Sequence, residues 1–267
     1  MNAWARSDAR LEQSRADPGA AGCHCRQFDI ATGSVRAVEA LVRWSRPGQG
    51  LVEPLNFIAV AEECGLILPI GRWVMATACA DAMRWQGAGQ AICVAVNLSA
   101  VRFRDPDLAG SVAKALAHSG LSAGLLEIEF TESAAGTIAS LKALRASGIQ
   151  LAMDDFGTGY SSLSYLKRRP LTMIKIDRSF ILGLPDDHKS CATVNAILAM
   201  TKSLGLKVKA EGVERLGQAM LLRDMGCDQL QGYYFSKPVP AAEIPELLTR
   251  SWSWPEIPHV LYQDEAD

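Results

Sequence analysis

Within Leu125–Thr131 the side chains divide by parity. Leu126, Ile128 and Phe130 share one face, and Glu127, Glu129 and Thr131 share the other. Successive residues of a strand point to opposite sides, so the segment reads as a strand with one apolar and one polar face. The pattern recurs along the chain. One face carries Glu39, Leu41 and Arg43 in Val35–Trp44, and Ala95, Asn97 and Ser99 in Ala91–Ser99. It carries Met173, Lys175 and Asp177 in Thr172–Asp177, and Lys207, Lys209 and Glu211 in Leu206–Glu211. Gln229 and Gln231 share a face of the last short strand. Helical patterns lie between the strands, at Pro54–Glu63, Ile70–Trp85, Asp107–His118, Ala139–Ala146, Ser161–Lys167, Cys191–Leu204 and Gly217–Asp224, and Ala242–Ser251 closes the series. Repeated alternation of this kind argues for a parallel sheet with helical crossovers. A doubly wound sheet is covered on both faces, and its strands should read apolar throughout. A barrel lines its interior with one face and opens that face at the strand ends. Polar residues late on one face therefore select a TIM-like (β/α)8 barrel, for which 267 residues suffice, since about 250 is typical.

Leu151–Asp154 is the strand with the densest chemistry after it. It ends in Asp154-Asp155, followed by Gly157, Gly159 and the hydroxyls of Thr158, Ser161 and Ser162. The glycines permit a tight loop. Taken alone, the two carboxylates read as a strand end followed by an Asx turn. Taken together with the other strand ends they do not stand alone: Glu39, Asn97, Glu129, Asp154, Asp155, Lys175, Asp177, Glu211 and Gln231 each close a strand or open the loop after it. A barrel brings all of them to one rim. Six of these are carboxylates, too many to sit together unneutralised. Lys175 offsets one, and two divalent cations would offset the remainder. All-oxygen ligation without histidine favours Mg²⁺ or Mn²⁺ over Zn²⁺. Two such ions about 4 Å apart suit phosphodiester hydrolysis, since they activate water and hold both the attacking and the leaving oxygen.

Other classes are excluded by composition. The formal net charge is −2 with no basic block, which argues against a nucleic-acid polymer as partner. No apolar stretch reaches the roughly 18 residues of a membrane span. No dinucleotide-binding or Walker loop is present. The seven cysteines lack zinc spacing, and the polar opening residues lack a secretion signal core, so a reducing cytoplasm is expected.

At this point the residues carry a family likeness. Glu39-Ala40-Leu41-x-Arg43-Trp44 resembles the signature of the EAL domains, the cyclic di-GMP phosphodiesterases. Asn97-Leu98-Ser99, Glu129-Phe130-Thr131-Glu132, Asp154-Asp155-Phe156-Gly157-Thr158-Gly159, Lys175-Ile176-Asp177, Ala210-Glu211-Gly212-Val213-Glu214 and Gln231-Gly232-Tyr233 match the family's other motifs in order. The resemblance implies a barrel that hydrolyses cyclic di-GMP to linear 5′-pGpG. It implies that Glu39, Asn97, Glu129 and Asp154 hold one metal ion and that Asp154 and Asp155 reach the second. Lys175 would position or deprotonate the attacking water, and Glu211 would serve as metal-linked base or water orienter. Arg43 and Gln231 would contact substrate. Asp177 is read as a substrate contact or as a salt-bridge partner of Lys175. Glu132 would anchor the loop after Asp155, through which family members couple metal binding to dimer contacts. A catalytically weak or inactive cyclic di-GMP receptor is the alternative.

One segment departs from the family. Where the family opens with a strand carrying Tyr-Gln-Pro, this chain reads His24-Cys25-Arg26. The expectation is an altered or incomplete first strand, with residues 1–26 a leader, 27–250 the barrel and 251–267 a tail. Among single residues, Glu127 is expected as a buried structural partner and Glu214 as a helix-start charge. Trp44 and Phe156 are expected to pack, and the four histidines to be incidental.

Overall fold

The computed structural model describes residues 23–46, 48, 50–131, 138–157, 166, 168–249 and 254. Eight of its strands form a closed barrel: β1 (Cys23–Asp29), β2 (Val35–Leu41), β5 (Cys93–Asn97), β6 (Leu126–Thr131), β7 (Gln150–Phe156), β8 (Met173–Ile176), β9 (Lys207–Ala210) and β10 (Gln229–Gln231). A separate hairpin, β3 (Trp44–Arg46) and β4 (Gly50–Val52), follows β2. Strands β2 and β5 to β10 run parallel. Strand β1 runs antiparallel to both its neighbours, pairing Cys25 with Glu39 on one side and Gln27 with Gln231 on the other. The barrel is therefore mixed rather than all-parallel. A short β11 (Val239–Pro240) extends the sheet beside β1.

Parity governs the packing. Outward residues of β2, β5, β6, β8 and β9, such as Val38, Val94, Ile128, Ile174 and Val208, are buried under helices. The covering helices are α1 (Ile58–Glu63), α2 (Ile67–Gly87), α3 (Leu108–Ser119), α4 (Ile138–Ala146), α5 (Arg178–Ile181), α6 (His188–Ser203), α7 (Leu216–Asp224) and α8 (Ile244–Leu248). They contribute Met75, Val112, Leu141, Leu144, Val194 and Leu222 to the same apolar layer. The inward face gathers the polar residues: Gln27, Glu39, Glu127, Glu129, Lys175, Lys209, Gln229 and Gln231 are all buried, among small residues such as Ala37, Ala95 and Ala152. Among the described residues, no helix is long and apolar enough to cross a membrane.

The first strand corrects the sequence reading. Among the described residues it runs over Cys23–Asp29, and it takes His24, Cys25 and Arg26 into the barrel wall. The barrel wall thus begins before Gln27. Arg26 is pinned by donating to the Phe235 carbonyl at 2.8 Å and lies over the Phe28 ring. His24 is buried edge-on against Trp85 and faces Asp81. Strand β2 stops at Leu41, because the chain turns there into the small hairpin in which Trp44 packs on Phe57. Helix α2 starts three residues earlier than expected: Pro69 sits in its first turn, where a missing N–H costs nothing. Glu132, the expected helix Ser161–Lys167 (apart from Leu166), the leader before Cys23 and the tail (apart from Trp254) lie outside the described residues.

Candidate active site

Four carboxylates converge on one ammonium at the C-terminal rim. The Nζ of Lys175 lies 2.6 Å from Glu129, 2.6 Å from Glu211, 3.0 Å from Asp154 and 3.9 Å from Glu39. Glu39 is held from both sides, by the Asn97 amide at 2.6 Å on Oε1 and by the Gln231 amide on Oε2. Gln231 Oε1 is buried without a hydrogen-bond partner among the described residues. Side-chain exposure grades across the cluster: 0% for Glu129 and 1% for Lys175, against 14% for Asp154 and 19% for Glu211. The cluster is therefore open to solvent on the Asp154 and Glu211 side.

Local structure places these groups. Backbone bonds run from Leu98 N–H to the Glu129 carbonyl and from Glu211 N–H to the Ile176 carbonyl, setting adjacent strand ends level. At the end of β7 the pairing with β8 shifts register between Met153 and Phe156. Asp155 adopts φ 53° there, and its N–H donates to Asp154 Oδ1 at 2.9 Å. A bulge of this kind re-aims a side chain, which lets two consecutive carboxylates serve one rim. Gly157 follows at φ 99°, where a Cβ would meet the Phe180 ring at 2.9 Å. Gly232 is required for close approach, since a Cβ there would collide with the Val213 backbone. That approach joins the loop after Glu211 to the loop after Gln231 through Val213 N–H to the Gln231 carbonyl at 3.1 Å.

A second ammonium lies beneath the rim. Lys209 Nζ contacts Glu127 at 2.8 Å and Glu129 at 3.0 Å, and it is fully buried. Glu127 is thus the structural partner that its depth on the strand predicts. Lys209 was not among the expected site residues. The signal was present: it shares a strand face with Glu211, and a lysine on an inward face requires a buried acid.

Charge is apportioned by this geometry. Burial works against ionised Glu129, but Lys175 and Lys209 outweigh it and hold the carboxyl down at about 2. Burial lifts Glu39 to about 7, against the pull of Lys175 and with repulsion from Glu129 and Asp154. Burial, with repulsion from Asp154 and Glu39, likewise raises Glu211. Asp155 is raised by burial and by Asp154 and Asp177. Lys175 stays well above the ordinary lysine range: the surrounding acids, Asp154 and Glu129 foremost, overcome its desolvation.

Two expected residues make no ion pair with the cluster among the described residues. Asp177 caps helix α5 by accepting from the Ser179 N–H at 3.0 Å and from its hydroxyl; among the described residues it makes no ion pair with Lys175. Arg43 donates to the Val42 carbonyl and, among the described residues, makes no ion pair with the rim acids. Glu214 pairs with Arg178 at the surface, at 2.8 Å.

Among the described residues no three acidic, histidine or cysteine side chains form a closed cation cage; Lys175 occupies the centre of the acids. The donor chemistry nevertheless fits a hard divalent ion. It is all oxygen, and the carboxyl groups gathered there outnumber the two lysines that face them.

The sequence profile of the EAL domain matches residues 27–238. The cyclic di-GMP phosphodiesterase NbdA of Pseudomonas aeruginosa is 45% identical over 225 residues, which are 82% of this chain and 29% of NbdA. The bifunctional diguanylate cyclase/cyclic di-GMP phosphodiesterase MucR of the same organism is 44% identical over 218 residues, 79% of this chain and 32% of MucR. The chain spans about a third or less of the length of the curated relatives it matches. The solved MucR phosphodiesterase in complex with c-di-GMP superimposes with a TM-score of 0.83 at 40% identity, covering 88% of this chain and 98% of that one. The EAL domain of Mycobacterium smegmatis DcpA superimposes at 0.74 with 33% identity, covering 88% and 98%. With the profile spanning 27–238 and relatives this similar over most of its length, this chain belongs to the EAL domain family.

Proposed function

We propose that this chain hydrolyses cyclic di-GMP to linear 5′-pGpG in a reaction that depends on two Mg²⁺ or Mn²⁺ ions. The observation that carries the reading is the ring of Glu39, Glu129, Asp154 and Glu211 around Lys175, in a family whose MucR member is solved in complex with c-di-GMP. Glu39, Asn97, Glu129 and Asp154 would hold one ion, and Asp154 with Asp155 would hold the second. The bound ions supply Lewis-acid charge at the phosphodiester and lower the pKa of water.

The chain's own groups do the rest. Lys175 keeps its proton, so it orients the attacking water as a hydrogen-bond donor instead of removing a proton from it. Glu211, on the open side of the cluster and 2.6 Å from Lys175, orients the same water. Gln231, with its buried Oε1 unengaged by the described residues, accepts a hydrogen bond from substrate. Arg43 and Asp177 are proposed as further substrate contacts; a guanidinium suits phosphate because its fork is bidentate and always charged. Action in the cytoplasm and pairing of two copies through the loop after Asp155 belong to the same proposal.

Purified chain is incubated with cyclic di-GMP and Mn²⁺, and pGpG is followed by chromatography. Product that appears with Mn²⁺ and stops with EDTA is expected. Binding of cyclic di-GMP without product would favour a receptor, and no binding would overturn both readings. Sedimentation tests the pairing.

A further inference from the structure

The feature that this reading leaves unused is the second buried lysine. Lys175 and Lys209 are register partners on β8 and β9, so their side chains enter the barrel next to each other. Glu129, from across the barrel, takes one lysine on each oxygen: Lys175 on Oε2 at 2.6 Å and Lys209 on Oε1 at 3.0 Å. Lys209 is in turn fixed from below by Glu127 at 2.8 Å. Lys209 and Glu129 are fully buried and Glu127 nearly so, so no solvent can replace these bonds.

We infer that Lys209 is a positioning residue: it fixes the rotation of the Glu129 carboxylate so that the oxygen facing the rim is presented to cation and water. A carboxylate held on one oxygen only can swing about its last torsion, which is broad and twofold. A second donor on the other oxygen removes that freedom, and Glu127 anchors the donor. The order Glu127, Lys209, Glu129, Lys175 thus runs from the barrel interior to the rim as an alternating chain of charges, in which each group sets the next.

A purely structural account is available, in which Lys209 only neutralises two buried acids. The accounts separate in charge-balanced variants. Lys209→Met with Glu127→Gln removes one charge of each sign and leaves Glu129 with Lys175 alone. Lys209→Gln with Glu127→Gln keeps the same charge balance but restores a neutral N–H donor for Glu129. Each protein is measured for kcat and KM with cyclic di-GMP, for Mn²⁺ affinity by calorimetry without nucleotide, and for Tm.

Positioning predicts that the Met-containing pair loses tenfold or more in kcat and in Mn²⁺ affinity, with KM within threefold of the parent. It predicts that the Gln-containing pair recovers most of both losses. Parental kcat and Mn²⁺ affinity in the Met-containing pair would overturn the inference, as would equal losses in the two pairs. Should neither pair fold, Glu127→Gln alone decides, since its amide oxygen still accepts from Lys209 and so keeps both the anchor and the contact between Lys209 and Glu129 in place. Activity within threefold of the parent supports the inference, and a tenfold loss overturns it. The inference rests on the phosphodiesterase reading, and the two fail separately. An inactive parent overturns that reading, while Mn²⁺ calorimetry still reports on Lys209.

Discussion

At the scale of single residues, the account turns on which groups hold charge. Glu39→Ala removes an acid from the cluster and orphans the Asn97 and Gln231 amides that flank it. Turnover of cyclic di-GMP should fall by orders of magnitude while far-ultraviolet circular dichroism stays unchanged; retained turnover would remove Glu39 from the site. Two of the displaced glutamates, Glu129 and Glu39, contribute to the pH dependence of stability in opposite directions. Glu129 is held at about 2, below its ordinary 4.5, so its ionisation stabilises the fold above pH 4.5 and is lost as pH falls toward 2. Glu39 is lifted from 4.5 to about 7, so the fold binds its proton more tightly than the unfolded chain does, and this contribution declines as pH rises from 4.5 to 7. Tm measured in EDTA should therefore fall more between pH 5 and 7 in the parent than in Glu39→Gln, and equal slopes would refute the assignment. Most of these residues were legible because period-two alternation on β6, β8 and β9 sorts inward from outward side chains without any tertiary knowledge. Lys209 was passed over because an acid partner on a distant strand is invisible locally. The cap that Asp177 forms is legible too, since Asp177-Arg178-Ser179 carries its local pattern.

At the scale of elements, the rim is assembled by turns that admit no side chain. Gly232→Ala places a methyl group against the Val213 backbone, which cannot yield without parting the loops after β9 and β10. A loss of about 2 kcal/mol or more is expected, read as a shift in urea midpoint, together with reduced turnover because Glu211 and Gln231 ride on those loops. Asp177→Ala removes the cap of α5 and should cost about 1 kcal/mol. KM for cyclic di-GMP then reports whether the same carboxylate touches substrate; an unchanged KM would strike it from the substrate contacts. The parallel strands and their helices could be read from alternation. Strand β1 could not, since His24 and Arg26 are polar on the face that packs outward. Their burial is made possible by partners contributed from Asp81 and Phe235, far along the chain.

At the scale of the whole molecule, closure of the barrel brings residues separated by most of the sequence to one rim. The bond from Gln231 to Glu39 spans 192 positions, and the pairing of β1 with β10 makes it possible. A site built this way should be stabilised by what it binds. Mn²⁺ at a hundredfold excess over its Kd should add about 2.7 kcal/mol, several degrees in Tm, and Glu39→Ala should abolish the shift. The most direct test is a crystal structure of the chain grown with cyclic di-GMP and Ca²⁺, an ion that fills hard-oxygen sites. The account predicts two anomalous peaks about 4 Å apart, one within bonding distance of Glu39, Asn97, Glu129 and Asp154 and the other reached by Asp154 and Asp155, with a phosphodiester lying across them. Nucleotide seated at the rim with no cation among those side chains, and Lys175 still clasped by all four acids, would contradict it.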